Sequence, residues 1–463
     1  MNKMAVLRRI IKDLETRLDS FDRKARKESL KSLIELVDCG GITFDPEQDV
    51  SNLHCHSFFS FNGYGYSPTH LAWKGKKSGL KFMGIVDFDV LDGVDEFLDA
   101  CESVGLRGSA GMETRVYIPQ FADREINSPG EPGVYYNMGI GFSSSFAPPG
   151  ARTQLEDIRR RVAQRNCQML EKINAYLDPL YVDYERDILP MTPSGNATER
   201  HMVAKIILMS HEKLNDPSQF WSEKLGLLAN EIRDLAEDPE VFQNAVRRKL
   251  MKRGGVGYTL PTADTFPLVD EFHQVVRNSQ AIPCAAWLDG TSPGEQAIEE
   301  LLSILIEKGT AAINIIPDRN WNIANPQEKK IKLDHLYRIT ELAVDLDLPV
   351  NVGTEMNSFG QKLSDDFSAP ELAPIRDVFL DGAWFIYGHT WMQRRWGLGY
   401  QSDWVERNFS DRRSRNEFFI TAGKLLPPKI SNPVILKRIN LNQKPDEVIG
   451  NLKLIKEHEL NEK

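Results

Sequence analysis

The spacing of hydrophobic positions changes near residue 49. Before that point, residues 3–37 carry apolar side chains three and four positions apart, the period of an amphipathic helix. The period is interrupted near residues 20–22, so the pattern predicts two helices rather than one. These helices form an appendage that packs on the main domain or pairs with a second subunit in a homodimer.

After residue 49, short apolar runs alternate with helical periods. Alternation of strands with helices is typical of a parallel sheet or barrel that carries its helices on the outside. Residues 116–118 and 134–142 instead alternate like two paired strands. Buried strands are predicted at 49–53, 81–87, 106–113, 281–287, 311–316 and 348–352.

A helical stretch interrupts this alternation between residues 151 and 255. It opens with a long charged helix at 152–178 and is long enough to be a small subdomain. Three regions are expected: a helical extension at 1–48, a barrel at 49–365 that contains the insertion, and a helical region at 366–463 packed on the barrel.

Composition narrows the class of protein. The chain has 463 residues, 41% of them hydrophobic, which is ample for a large core. A net charge of −9 argues against general nucleic-acid binding, although single basic residues can still hold one phosphorylated substrate. The five scattered cysteines fit reduced thiols. With no signal peptide and no apolar stretch that could span a bilayer, a cytoplasmic protein is expected.

Candidate chemistry collects at the carboxyl ends of the predicted strands. Alternate side chains of a strand share a face, so His54 and His56 can aim at one point while Cys55 points away. Asp87 and Glu113 end the next two strands, on the rim where barrels carry their chemistry. This predicts a metal site; for the two histidines alone, the alternative is one buried and one solvated side chain.

The order of these motifs resembles the PHP (polymerase and histidinol phosphatase) superfamily. His54-Cys55-His56 matches its H-x-H, Asp87-Phe88-Asp89 its D-H-D, and Gly111-Met112-Glu113 its G-x-E. Arg200-His201 matches a helix start in the branch that hydrolyses nucleotide and oligonucleotide phosphates, and Glu355-Met356-Asn357 matches the final D-x-H.

The resemblance implies an α/β fold, a distorted (β/α)7 barrel, with divalent metal at its carboxyl rim. Family members hydrolyse phosphoesters with metal-activated water, and histidine and carboxylate ligands suit Mn²⁺, Zn²⁺ or Fe²⁺. His201 would assist the phosphate or leaving group; the alternative is a helix-start histidine. The expected metal ligands are His54, His56, Asp87, Glu113 and Glu355, with Asp87 completing or orienting the site.

Three family histidines are replaced in this chain, by Phe88, Trp287 and Asn357. Phenylalanine and tryptophan cannot bind a metal, so one to two ions are expected rather than three. Asn357 keeps an oxygen and is a candidate substrate contact. Arg115 and Arg200 are candidates to hold a phosphate bidentately, although arginines more often pair with carboxylates.

The sequence therefore favours a metal-dependent hydrolase of a small phosphoester. Two alternatives stay open: a degenerate barrel that binds a ligand or partner without turnover, and a metallohydrolase of a non-phosphate substrate. His389 lies outside the family match and is expected in the core rather than the pocket.

Overall fold

Seven strands form one sheet whose spatial order follows the chain. The structure, a computed structural model, describes residues 3–431 and 433–461, without the side chains of Lys3 and Pro433. The strands are β1 Gln48–Cys55, β2 Leu80–Phe88, β3 Arg107–Tyr117, β4 Val134–Ile140, β5 Ile282–Trp287, β6 Ala312–Ile315 and β7 Val350–Val352.

The sheet curls into a nearly closed barrel. β4 runs antiparallel to β3 and β5, while the other neighbouring strands are parallel. A parallel bridge between Cys55 and Glu355 joins the end of β1 to the residues after β7. The predicted α/β barrel is therefore confirmed, and its one reversed strand explains why 116–118 and 134–142 alternate like a hairpin.

Eighteen helices surround and extend the barrel within the described ranges. They are α1 Lys3–Arg17, α2 Arg23–Asp38, α3 Pro68–Lys77, α4 Val94–Val104, α5 Pro149–Leu177, α6 Glu199–Lys213, α7 Pro217–Leu225, α8 Ala229–Ala236, α9 Pro239–Met251, α10 Val269–Asn278, α11 Pro293–Gln296, α12 Ile298–Glu307, α13 Asp318–Trp321, α14 Pro326–Asp345, α15 Arg376–Trp396, α16 Asp403–Asn408, α17 Arg412–Leu425 and α18 Pro445–Asn461.

Capping residues set several of these boundaries. Asp22 begins α2 and Ser67 begins α3, each accepting a hydrogen bond from a backbone N–H of the first turn. The sequence pattern at 217–237 predicts one helix, whereas the structure has two. Gly226 ends α7 in the left-handed conformation, with φ at 73°, which glycine adopts without a steric penalty.

The helices α1 and α2 pack on the barrel. Packing on the main domain was one of the two arrangements predicted for these helices, beside pairing with a second subunit. Asp19 accepts hydrogen bonds from the Ser67 backbone and the His70 side chain at the start of α3. Arg26 of α2 forms a buried ion pair with Glu96 of α4. A homodimer through these helices stays a prediction.

The stretch from the second half of α5 to α9 has a hydrophobic core of its own. Met169, Ile173 and Leu177 of α5 join apolar residues of α6 to α9 in this cluster, whereas Ile158 belongs to the barrel core. One long helix thus links the barrel to the inserted helices. Among the described residues, no helix combines the length and apolarity that crossing a membrane requires.

Candidate metal centre

Three metal-binding side chains converge inside the barrel. His54 lies near the end of β1, His56 directly follows that strand and Glu113 lies on β3, and these residues are 1%, 0% and 4% exposed. Their ligand atoms lie within 4.8 Å of one another, and Glu113 Oε2 is 3.4 Å from the Nε2 atom of each histidine. None of these three atoms has a hydrogen-bond partner in the part of the chain that the structure describes.

The tautomer of His54 follows from its neighbour. His54 Nδ1 lies 2.9 Å from Asn314 Oδ1, while the amide nitrogen of Asn314 donates to the carbonyl of Asn351. The amide oxygen of Asn314 therefore faces the ring and accepts from Nδ1–H. The proton of a neutral imidazole is then on Nδ1, and Nε2 carries a lone pair.

His56 is oriented in the same way by Ser60. The Ser60 hydroxyl donates its proton to Asp87 Oδ1 at 2.7 Å, so its oxygen is left to accept from His56 Nδ1 at 3.2 Å. His56 is thus also protonated on Nδ1, with its Nε2 lone pair directed at Glu113. The partner of the non-coordinating ring nitrogen commonly sets the ligand tautomer at metal sites.

Three acceptor atoms that face one another fit a cation between them. Burial disfavours a charged His54, yet the Glu113 carboxylate raises the pKa of His54 above its ordinary value. Burial likewise opposes ionisation of Glu113, but the two imidazoles lower its pKa to about 2. Two imidazole nitrogens and one carboxylate oxygen are ligands that suit a divalent transition metal.

Asp87 contacts the three converging side chains indirectly, through Ser60. Its carboxylate accepts hydrogen bonds from the Ser57 backbone N–H, the Ser57 hydroxyl and the Ser60 hydroxyl, all at 2.7 Å. Among the described residues it contributes no oxygen to the convergent group. Of the two roles expected for Asp87, the structure offers an orienting one, through Ser60 to His56.

Glu355 lies beside the three converging side chains rather than among them. Its backbone N–H donates to the His54 carbonyl and its carbonyl accepts from the His56 N–H, both at 2.7 Å. Its side chain accepts from the Arg319 guanidinium at 2.7 Å. Burial would raise the pKa of Glu355, but Arg319 and His54 lower it.

A cavity of about 600 Å³ opens in front of His54 and Glu113. The substrate candidates Arg115, Arg200 and Asn357 line it. Arg115 pairs with Glu131 and Glu199, while Arg200 makes no hydrogen bond or ion pair with the residues described here. Further basic side chains in the wall are Arg165, Arg247, Arg248, Lys252, Arg253 and Arg319.

His201 is buried and is not among the residues that line the cavity. Its Nδ1 accepts from the Thr198 backbone N–H at 3.1 Å, and its ring packs edge-on against Phe61. Burial lowers the pKa of His201 to about 4. In the structure it caps the start of α6, and a role toward a leaving group stays a prediction.

Arg165 is a cavity residue that the sequence analysis missed. Its side chain is 8% exposed, its guanidinium lies 4.3 Å from the centre of the Phe266 ring, and its Nε has no partner among the described residues. Burial and the neighbouring Arg115 lower its pKa to about 10. A signal was available, since Arg165 interrupts the apolar face of α5 between Val162 and Met169.

Phe88 and Trp287, which the resemblance places at positions of family histidines, differ in whether they face the cavity. Phe88 lines the cavity and stacks on His56, with ring centres 4.6 Å apart, and it leaves the three ligand atoms together. Trp287 is buried but is not part of the cavity wall. Because side chains alternate along β5, Ala286 faces the cavity, so Ala286 rather than Trp287 stands on the site face.

Comparisons of the sequence with known proteins give a partial match. No family model matches the chain. An error-prone DNA polymerase from Cutibacterium acnes is 32% identical over 75 residues, which are 16% of this chain and 7% of the polymerase. The chain thus matches only a small part of that relative.

Two solved structures are similar in fold. An amidohydrolase from Chromobacterium violaceum with bound sulfate aligns over 71% of this chain and 95% of its own, at 16% identity and a TM-score of 0.50. A protein assigned as a metal-dependent phosphoesterase from Bifidobacterium adolescentis covers 71% and 97%, at 18% identity and a TM-score of 0.46. The seven-stranded barrel and the likeness to the amidohydrolase structure confirm the kind of fold that the resemblance to the PHP superfamily implies.

Proposed function

We propose that this protein is a metal-dependent hydrolase of a small phosphoester, a nucleotide or another phosphomonoester or diester. One observation carries the proposal: three buried ligand atoms, without a hydrogen-bond partner among the described residues, converge where His54 and Glu113 line a cavity whose wall is rich in arginine. The first feature fits a divalent cation, and the second fits an anionic substrate.

His54, His56 and Glu113 would hold one ion. A bound Mn²⁺, Zn²⁺ or Fe²⁺ would lower the pKa of a coordinated water and offset phosphate charge. Asn314 and Ser60 keep the two imidazoles in the tautomer that binds a metal. The described residues supply one group of three such ligands, and one to two ions rather than three stays a prediction.

Some of the positively charged side chains in the cavity wall are not neutralised by a carboxylate among the described residues. Arg115, Arg247 and Lys252 share Glu199, whose pKa stays well below its ordinary value despite burial because of these three cations. Arg165 and Arg200 form no ion pair with a carboxylate among the described residues. A phosphate group would satisfy such guanidinium donors, since planar guanidinium forks match phosphate oxygens.

The test begins with metal content. Protein purified without a metal-affinity tag is analysed by inductively coupled plasma mass spectrometry, beside the variant His54→Ala/His56→Ala. His211→Ala is the matched control, because His211 is exposed on α6. We expect close to stoichiometric Mn, Fe or Zn in the wild type and the control, and loss of the metal in the double variant.

The metal-loaded protein is then screened against phosphomonoesters, phosphodiesters and nucleotides. Phosphate release that requires His54 and His56 would support the proposal. A metal-loaded protein inactive on every phosphoester would favour a non-phosphate substrate. No metal above the level of the double variant, even after incubation with Mn²⁺ or Zn²⁺, would contradict a metallohydrolase and favour a barrel that binds without turnover.

A further inference from the structure

Arg319 places a permanent positive charge at the edge of the candidate metal centre. It lies on the short helix α13, after β6, and lines the same cavity as His54 and Glu113. Its guanidinium donates to Glu355 Oε2 at 2.7 Å. The Glu355 backbone is hydrogen-bonded to both His54 and His56, so the arginine is tied to the residues that present the two imidazoles.

The backbone around Arg319 is firmly held. Asn320 is fully buried and its amide donates to the carbonyls of Leu288 and Ile316. The Trp321 indole N–H donates to Asp365 at 2.7 Å. With both following residues anchored, Arg319 projects from a fixed point.

Most of the donors of this guanidinium are uncommitted. The bond to Glu355 uses one terminal nitrogen, and neither Nε nor the other terminal nitrogen bonds to a residue that the structure describes. About half of the side chain, 45%, is accessible, and it opens into the cavity. A guanidinium held on one side and open on the other can receive an anion with two parallel hydrogen bonds.

Where further metal ligands would be expected, this site has groups that bind metal poorly or not at all. Phe88, at a position that the resemblance assigns to a histidine, and Ala286, next to Trp287, line the cavity without a ligand atom, and Glu355 is already paired with an arginine. Charge at a phosphoryl group can be offset by an arginine as well as by a metal ion.

We propose that Arg319 is the second cation of this site, and that its free guanidinium edge binds the phosphoryl group of the substrate while His54, His56 and Glu113 hold the metal. The inference rests on the proposed function and assigns a catalytic role to a residue outside the recognised motifs. Its rival is a purely structural role, in which Arg319 only positions Glu355.

Inorganic phosphate is the probe that separates the two roles. Its binding is measured by isothermal titration calorimetry on metal-loaded and on chelator-treated full-length protein, and metal content is determined in parallel. The variants are Arg319→Gln, which removes the charge, and Arg319→Lys, which keeps the charge and loses the fork. Arg338→Gln is the control, because Arg338 forms an exposed ion pair with Glu299 and does not line the cavity.

We expect Arg319→Gln to weaken phosphate binding about tenfold to a hundredfold in both forms of the protein, the range for losing a hydrogen bond to a charged group. Arg319→Lys should lose less, Arg338→Gln should bind as the wild type does, and all three should keep their metal. Phosphate affinity unchanged in Arg319→Gln, or no binding even to the wild type, would overturn the inference. Loss of phosphate affinity only together with loss of metal would also overturn it, since Arg319 would then act through Glu355.

The two proposals can fail separately. If the wild type holds no metal, the proposed hydrolase fails, yet the titration of chelator-treated protein still decides whether Arg319 binds phosphate. If the wild type holds metal and hydrolyses a phosphoester while Arg319→Gln binds phosphate normally, only the role of Arg319 fails.

Discussion

The hydrogen-bonded chain from Asp87 through Ser60 to His56 decides which nitrogen of His56 is free. Asp87 is buried, and burial raises its pKa while the Ser57 and Ser60 hydroxyls oppose that rise. The roles in the chain are fixed: Asp87 accepts a hydrogen bond from Ser60, and Ser60 accepts one from His56. Ser60, four residues after His56, thereby orients one of the candidate metal ligands without contributing a ligand atom itself.

Ser60→Ala is therefore expected to lower metal affinity. Without the hydroxyl, His56 Nδ1 has no acceptor in the described structure, and the tautomer with its lone pair on Nε2 is no longer favoured. Loss of such an outer partner typically lowers metal affinity tenfold to a hundredfold. Competition with a chromophoric chelator measures the change.

Ser103→Ala serves as the control, because Ser103 is exposed on α4 and, among the described residues, its hydroxyl bonds only to the Asp99 carbonyl. It should bind metal as the wild type does. Equal affinities in Ser60→Ala and Ser103→Ala would rule out the orienting role of Ser60. Chemical denaturation of both variants shows whether a lower affinity reflects loss of fold.

At the scale of elements, two helices of the C-terminal region approach each other through glycine. A Cβ atom on Gly388 of α15 would lie 2.1 Å from the Phe419 carbonyl oxygen, and one on Gly423 of α17 would lie 2.2 Å from the Trp384 carbonyl oxygen. Both obstacles are backbone atoms, which cannot turn aside. The close packing of α15 on α17 thus requires these two positions to lack side chains.

Gly388→Ala is expected to destabilise the protein. The added methyl group must push α17 away from α15, and overpacking of this kind costs about 1–3 kcal/mol or more in the free energy of unfolding. Urea denaturation followed by circular dichroism measures the effect.

Gly450→Ala is the matched comparison, since Gly450 lies inside helix α18 and, apart from its chain neighbours and the adjacent helix backbone, no described residue has an atom within 4 Å of the added carbon. There the substitution should stabilise the protein by about 0.5–1 kcal/mol, the difference in helix propensity between the two residues. A Gly388→Ala variant that is as stable as Gly450→Ala would show that the helices can separate without cost.

At the scale of the whole molecule, His389 joins the C-terminal region to the barrel. It is fully buried on α15, its Nε2–H donates to the Gly141 carbonyl just after β4, and its Nδ1 accepts from the Tyr400 N–H. Both nitrogens are satisfied in the neutral ring, and burial lowers the pKa of His389 to about 4. The expectation that His389 lies in the core agrees with this position.

This histidine should make the protein less stable in mild acid. In the unfolded chain its pKa is about 6.5, so between pH 6.5 and 4 the unfolded state binds a proton that the native state does not. The contribution of neutral His389 to the free energy of unfolding is fully present above pH 6.5. Below pH 6.5 it falls by about 1.4 kcal/mol for each pH unit, down to pH 4. Thermal unfolding of chelator-treated protein between pH 7.5 and 4.5 measures the slope.

Other groups add to that slope, so variants are compared. His389→Gln should unfold at a lower temperature at pH 7 but lose less stability on acidification than the wild type. His211→Ala, at an exposed position, should keep the wild-type slope. Identical slopes in all three proteins would show that His389 does not carry the acid sensitivity.

The sequence by itself determined the barrel architecture and placed three of the candidate ligands, which the structure brings together. Apolar runs and helical periods predicted six strands and the two paired segments around β3 and β4, because the spacing of apolar residues shows which face of a helix or strand is buried. His54 and His56 were placed on one face by strand alternation, and Glu113 was placed on the same rim by the parallel order of the strands. Each of these inferences needs only local geometry.

Only the tertiary structure decided which side chains each candidate site residue contacts. Whether Asp87 faces the metal group or Ser60, whether Glu355 is free or paired with Arg319, and which arginine of α5 reaches the cavity depend on contacts between distant segments. Asn314 fixes the tautomer of a histidine 260 residues away along the chain. The structure also decided that Ala286 rather than Trp287 lines the cavity, since a shift of one residue along β5 reverses the face that a side chain occupies. Sequence spacing defines a face of an element, while folding defines what that face meets.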